Sequence, residues 1–131
     1  MNREDLLRVL KHTTKDLFVM SETDAPFECL FWVSSAPFSP EQAEKVWGNG
    51  RQPRVQSLDD FLAPYLEERD WHSDVQRADV ARFRKLKTIL EANLDNLNVY
   101  KVGSEYEQNC WIVGRYSDQE YVLLRTFVVE T

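Results

Sequence analysis

The C-terminal quarter of the chain places the tightest limit on its fold. Residues 98–130 hold three β-prone runs, NVYKVGSEY, CWIVGRYS and EYVLLRTFVVE. Glu107–Asn109 join the first two, and Ser117–Gln119 (SDQ) join the last two. Both connections have hairpin length, so the three runs are expected to form an antiparallel meander.

Upstream of the meander the pattern is helical. Residues 75–95 place Val75, Ala78, Phe83, Leu86, Ile89, Leu90 and Leu94 at helical spacing. Arg77, Arg84, Lys87 and Glu91 occupy the opposite face, which predicts an amphipathic surface helix. Asp74 is the expected N-cap. Residues 2–16 predict a second helix, with Asn2 as cap and Leu6, Val9, Leu10 and Leu17 along one face. FECLFWV, residues 27–33, is dense in aromatic and aliphatic residues after Pro26 and predicts a short strand covered on both faces. Between Ser34 and Pro64, Ser39-Pro40 marks a short helix, GNGRQP a turn and RVQS a short strand. SLDDFLAPYL opens a helix that Pro64 is expected to end or kink. The order predicts a single domain over residues 1–131, of the α+β class, with helices layered on a mainly antiparallel sheet.

Composition narrows the functional classes. A formal charge of −6 argues against direct nucleic-acid binding, which needs concentrated Lys and Arg. MNREDLLRVLKH lacks the apolar core of a signal peptide, and no run approaches a membrane span. Cys29 and Cys110 lie inside apolar segments and are expected as buried thiols, consistent with a cytoplasmic setting.

Three acids, Glu22, Asp24 and Glu28, crowd VMSETDAPFECLFW, residues 19–32. A pair of carboxylates could serve acid–base hydrolysis. However, 22 of the 131 residues are Asp or Glu, so clusters arise by chance, and Asp24 before Pro26 suits a turn. In RDWHSD, residues 69–74, Asp70, His72 and Asp74 alternate as metal ligands on a strand could. The only other histidine is His12, far away in sequence. GxSxG, GxGxxG and GxxxxGK[ST] are all missing. Trp71 stands among charges rather than in an apolar run, as either a loop anchor or an interface anchor. The terminal Val-Val-Glu-Thr follows a strand directly, and the carboxylate of Thr131 is a hard oxygen donor.

Several motifs occur together in order: MSETDAPFE, the Asp-Trp of RDWHSD, FRKLKTILEANL, VYKVG and the terminal VVET. In combination they resemble the nuclease A inhibitor family, from about residue 5 to residue 131 and most weakly over 38–66. The resemblance implies a three-layer α/β/α sandwich similar to the pathogenesis-related protein 1 fold. It also implies a protein without catalytic activity or cofactor that occupies the site of a Mg²⁺-dependent, sugar-nonspecific nuclease of the ββα-metal type in a 1:1 complex. Carried over by motif, Glu22, Asp70, Trp71 and Thr131 contact the nuclease, with Glu22 and the Thr131 carboxylate near its metal in place of substrate phosphate. Asp24 and His72 are neighbours of that surface. Val33 is a departure, standing where the family's founding member has an acid. Two other readings remain: a binding module of the same fold with a different partner, and a small metal-assisted hydrolase using Glu22, Asp24 and His72.

Overall fold

A computed structural model of the chain describes residues 1–19, 25–33, 38–47, 53–103 and 106–129. The elements run α1 (Arg3–Thr14), β1 (Glu28–Val33), α2 (Pro40–Trp47), β2 (Arg54–Ser57), α3 (Leu58–Leu66), α4 (Asp74–Asn93), β3 (Asp95–Gly103), β4 (Glu107–Ser117) and β5 (Glu120–Val129). The strands form one antiparallel sheet in the order β1-β5-β4-β3-β2. The expected meander is its centre, and the two upstream strands extend it at either edge.

Strand alternation divides the core between the two faces of the sheet. Cys29, Val99, Cys110, Ile112, Val122 and Leu124 pack against Leu6 and Leu10 of α1, Phe61 and Leu62 of α3, and Phe83, Leu86 and Leu90 of α4. Each fully buried leucine of this set contributes about 1.5–3 kcal/mol relative to exposure. Tyr100, Val113, Tyr121 and Leu123 face the other way and gather Ala43 of α2, with Trp32, Phe38 and Trp111 half-buried around them. The α+β class expected from the sequence is thus what the chain adopts. Cys29 and Cys110 are both buried.

Local chemistry explains where elements begin. Asn2 accepts from the Asp5 backbone N–H at 2.8 Å, opening α1. The cap of α4 differs from expectation: it is Ser73 rather than Asp74. Ser73 Oγ accepts from Gln76 N at 3.2 Å, and Gln76 Oε1 accepts from Ser73 N at 2.7 Å. This reciprocal pair satisfies two orphan donors, which Asp74 alone would not do. Pro64 does not end α3, which continues through Leu66. β3 starts at Asp95 and β4 at Glu107, both earlier than the β-prone runs indicate. Asn96 adopts a positive φ of 51° there, and the register shifts between Asp95 and Asn98. An irregular strand start of this kind leaves no period-two signal.

The glycine of VYKVG has a steric reason. Gly103 has φ +142°, and a Cβ on it would lie 2.2 Å from the Glu107 carbonyl oxygen. Only glycine fits that position without moving the β3–β4 connection.

Candidate functional site

The segment between α3 and α4, residues 67–73, is built from both ends. At its start, Arg84 of α4 donates from Nε to the Leu66 carbonyl at 2.8 Å, capping the end of α3. Tyr65 stacks on Phe83 with ring centroids 4.7 Å apart, fixing α3 against α4 beneath the segment. Arg77 Nε approaches Glu68 Oε1 at 3.2 Å, and Arg69 pairs with Glu67 at 2.7 Å. These are exposed pairs, each worth well under about 1 kcal/mol, so they bias the loop rather than lock it. The capping box of Ser73 and Gln76 closes the far end.

Within this frame residues 69–72 make a tight turn. His72 N donates to the Arg69 carbonyl at 3.0 Å, and Arg69 N donates to His72 Nδ1 at 3.0 Å. Asp70 and Trp71 are the turn's outer residues. Trp71 is 71% exposed, and among the described residues its recorded ring contact is an edge-to-face one with His72, centroids 4.4 Å apart. Asp70 is exposed and has no ion pair or hydrogen bond among the described residues, whereas Glu67 and Glu68 are both paired. The turn therefore displays a large apolar ring beside a solvated carboxylate.

Trp71 and His72 form one wall of a groove of about 210 Å³, completed by Phe18, Pro64, Tyr65, Gln76, Asp79, Val80 and Phe83. Phe18 gives the groove a contribution from the segment after α1. Leu17 and Val19 are buried on either side of it, while Phe18 is exposed. The alternation is one of burial: Leu17, Phe18 and Val19 are all apolar, so no period-two pattern in the sequence marks Phe18 as outward-facing. Tyr65 and Phe83 carried no signal either, because stacked core residues and groove walls look alike in sequence.

Of the residues singled out in the sequence, Asp70, Trp71 and His72 are brought together. Glu22, Asp24 and Thr131 lie outside the described residues. The residues flanking them are informative. Phe18, which precedes the first acidic stretch, shares the groove with Trp71. Ala25, which follows it, accepts from Thr126 Oγ1 of β5 at 3.2 Å. Val128, near the end of β5, borders a second cavity that shares Pro64 and Tyr65 with the groove. Glu28 belongs elsewhere: its Oε2 lies 3.7 Å from Arg125 Nη1, and Arg125 is stacked over Trp111 at 5.4 Å. These residues occupy the face of the sheet opposite the main core.

The metal-ligand reading of Asp70, His72 and Asp74 rests on strand alternation, and no strand is present there. Asp70 lies in the turn, His72 Nδ1 is already an acceptor, and Asp74 is the first residue of α4. Among the described residues no group of three or more His, Cys, Asp or Glu side chains converges to hold a metal ion. Likewise, no helix among them is long and apolar enough to cross a membrane.

The sequence matches the family model described as nuclease A inhibitor-like protein over residues 4–131, nearly its full length, and the chain belongs to that family. No curated protein matches it.

Proposed function

We propose that this protein, as a member of a family of nuclease A inhibitor-like proteins, is a non-catalytic inhibitor of a Mg²⁺-dependent, sugar-nonspecific nuclease. Family membership supports a nuclease partner. The single structural observation that carries the surface assignment is Trp71, 71% exposed on a turn built from both sides, with the solvated Asp70 beside it. Exposed tryptophans flanked by charge are favoured anchors of protein interfaces.

In this reading residues 1–131 act as one cytoplasmic domain, a three-layer α/β/α sandwich. The two apolar clusters on opposite faces of the sheet, one under α1, α3 and α4 and the other including Ala43 of α2, support that layering. Trp71 and the adjacent groove seat against the rim of the nuclease cleft. Glu22 and the Thr131 carboxylate enter it as mimics of substrate phosphate, approaching the partner's Mg²⁺. Asp70 gives a further charged contact, with Asp24 and His72 at the edge. The position of Phe18 in the Trp71 groove and of Val128 beside Tyr65 supports grouping these segments on one surface. The net charge of −6 would accelerate encounter with a cationic cleft.

Complex formation tests this reading. Calorimetric titration into a ββα-metal nonspecific nuclease is expected to give 1:1 binding that weakens as salt is raised. Trp71→Ala is expected to weaken it by about thirtyfold or more, the scale of an interface hot spot of about 2 kcal/mol. Unchanged binding by Trp71→Ala would move the interface to another face.

A further inference from the structure

The turn that displays Trp71 is closed by a titratable acceptor. Its two bonds run in opposite directions: His72 N to the Arg69 carbonyl, and Arg69 N to His72 Nδ1, each 3.0 Å. The second requires an imidazole with a lone pair on Nδ1 and its proton on Nε2. The same ring supplies the edge-to-face contact that orients the indole, at 4.4 Å between centroids. One side chain therefore sets both the closure of the turn and the orientation of its exposed aromatic.

We propose that His72 is a pH-sensitive latch: uptake of a proton at Nδ1 opens the Arg69–His72 bond and loosens the turn that presents Trp71. The imidazolium has donors at both nitrogens, so Arg69 N–H and Nδ1–H would face each other without an acceptor. The ring must then turn away, and Trp71 loses its edge contact. The remaining His72 N bond to the Arg69 carbonyl does not involve the ring, so the turn loosens without unfolding. Histidine is the side chain whose charge changes between neutral and mildly acidic pH. Among the described residues, the titratable groups that line the groove with the ring are Asp79 of α4 and Tyr65 of α3. Within its own loop the charged neighbours are Arg69, held by Glu67, together with Asp70 and Asp74. From the described part of the segment after α1, Phe18, which is uncharged, lines the same groove.

In this role His72 is a positioning residue, acting on a partner through Trp71. The consequence for inhibition rests on the proposed function, and the latch itself does not. The discriminating variant is His72→Asn, whose Oδ1 occupies the place of Nδ1 and accepts from Arg69 N at any pH in the range. Two readouts are taken at about pH 7.5 and about pH 5.5, spanning the imidazole's range. In the free protein, the Arg69 amide proton resonance is expected to move with imidazole protonation in the wild type and to stay fixed in His72→Asn. An Arg69 amide that ignores that protonation overturns the latch. Against a nonspecific nuclease, the wild-type inhibition constant is expected to weaken roughly five- to tenfold relative to His72→Asn on acidification, the effect of losing about one hydrogen bond. Taking the ratio of the two proteins at each pH removes the nuclease's own pH dependence. A constant ratio overturns the coupling to Trp71. If neither protein inhibits at either pH, the inhibitor reading fails, while the amide titration still decides the latch.

Discussion

Arg82 donates from Nη2 to the Thr13 carbonyl at 2.9 Å, joining the middle of α4 to the last turn of α1. It also reaches the Lys15 carbonyl. Carbonyls at a helix end have no partner within the helix, and a guanidinium complements them in both hydrogen bonding and dipole. The chain then turns at Asp16, at φ 57°, and continues without regular secondary structure through Leu17, Phe18 and Val19. Arg82 thus fixes the point from which Phe18 is delivered to the Trp71 groove.

Replacing Arg82 with Met keeps the stem and removes the donors. The loss of charge-assisted hydrogen bonds is expected to lower unfolding free energy by about 1.5–3 kcal/mol, read from urea denaturation. A change within about 0.5 kcal/mol, the range of ordinary surface substitutions, would show that the bonds contribute little.

The capping box of α4 gives a test of which residue begins that helix. Ser73→Ala is expected to cost about 1 kcal/mol. Gln76→Ala should cost less on its own and should not add fully to Ser73→Ala, since each partner supports the other's bond. Asp74→Asn is expected to cost only a few tenths of a kcal/mol through the helix dipole. The reverse order of effects in thermal unfolding would return the cap to Asp74.

Two buried acids predict the alkaline behaviour. Burial pushes the Cys29 thiol up, outweighing its hydrogen bond with Thr14 and the charge of Lys11, which pull it down. Burial also raises Tyr100, and the charges of Glu41 and Tyr121 act in the same direction. Each group ionises first in the unfolded chain, near about pH 8.5 for a free thiol and about pH 10 for tyrosine. Their contribution is complete below those values and is lost as pH rises through the higher folded values. Unfolding free energy is therefore expected to decline above about pH 8.5. Cys29→Ala is expected to flatten the first part of that decline. A flat profile in the wild type would contradict the burial of the thiol, as would rapid labelling of Cys29 by a thiol reagent in the native state.

Glycine positions test the sheet. A Cβ at Gly114 would come within 2.7 Å of Leu97 Cδ2 and 2.8 Å of Leu94. Gly114→Ala is expected to cost about 1–3 kcal/mol by overpacking. Gly103→Ala meets backbone at positive φ and is expected to cost at least as much. Similar stabilities for both variants and the wild type would place those neighbours farther away.

The sequence made much of this fold legible, for a physical reason. Long periodic segments such as residues 75–95 declare themselves because burial is repeated over many turns, and α4 was displaced only at its ends. The meander was legible because its connections are short and its strands apolar. Strand order was not legible, since nothing in FECLFWV or RVQS says which edge each will join. Ser73 was missed in favour of Asp74 because both are good caps, and only the reciprocal bond with Gln76 decides between them. At the site, Trp71 stood out among its charges. The groove beside it depends on Tyr65 and Phe83, which are far apart in sequence and meet only when α3 packs on α4. Glu28 illustrates the opposite case: it is adjacent in sequence to the acidic stretch, yet pairs with Arg125 on another face.

The central claim is that this surface silences a nuclease by offering carboxylates in place of phosphate, with Trp71 as anchor. The most direct test is DNA digestion by a ββα-metal nonspecific nuclease with increasing amounts of this protein. Digestion is expected to stop near equimolar protein. Glu22→Gln and removal of Thr131 should each weaken inhibition by about thirtyfold or more, the lower end of the cost of losing one partner of a buried charge contact. Asp95→Asn, which alters an exposed carboxylate near Arg115, should inhibit like the wild type. Undiminished digestion at micromolar protein against several such nucleases would contradict the account, as would inhibition that Glu22→Gln and loss of Thr131 leave intact.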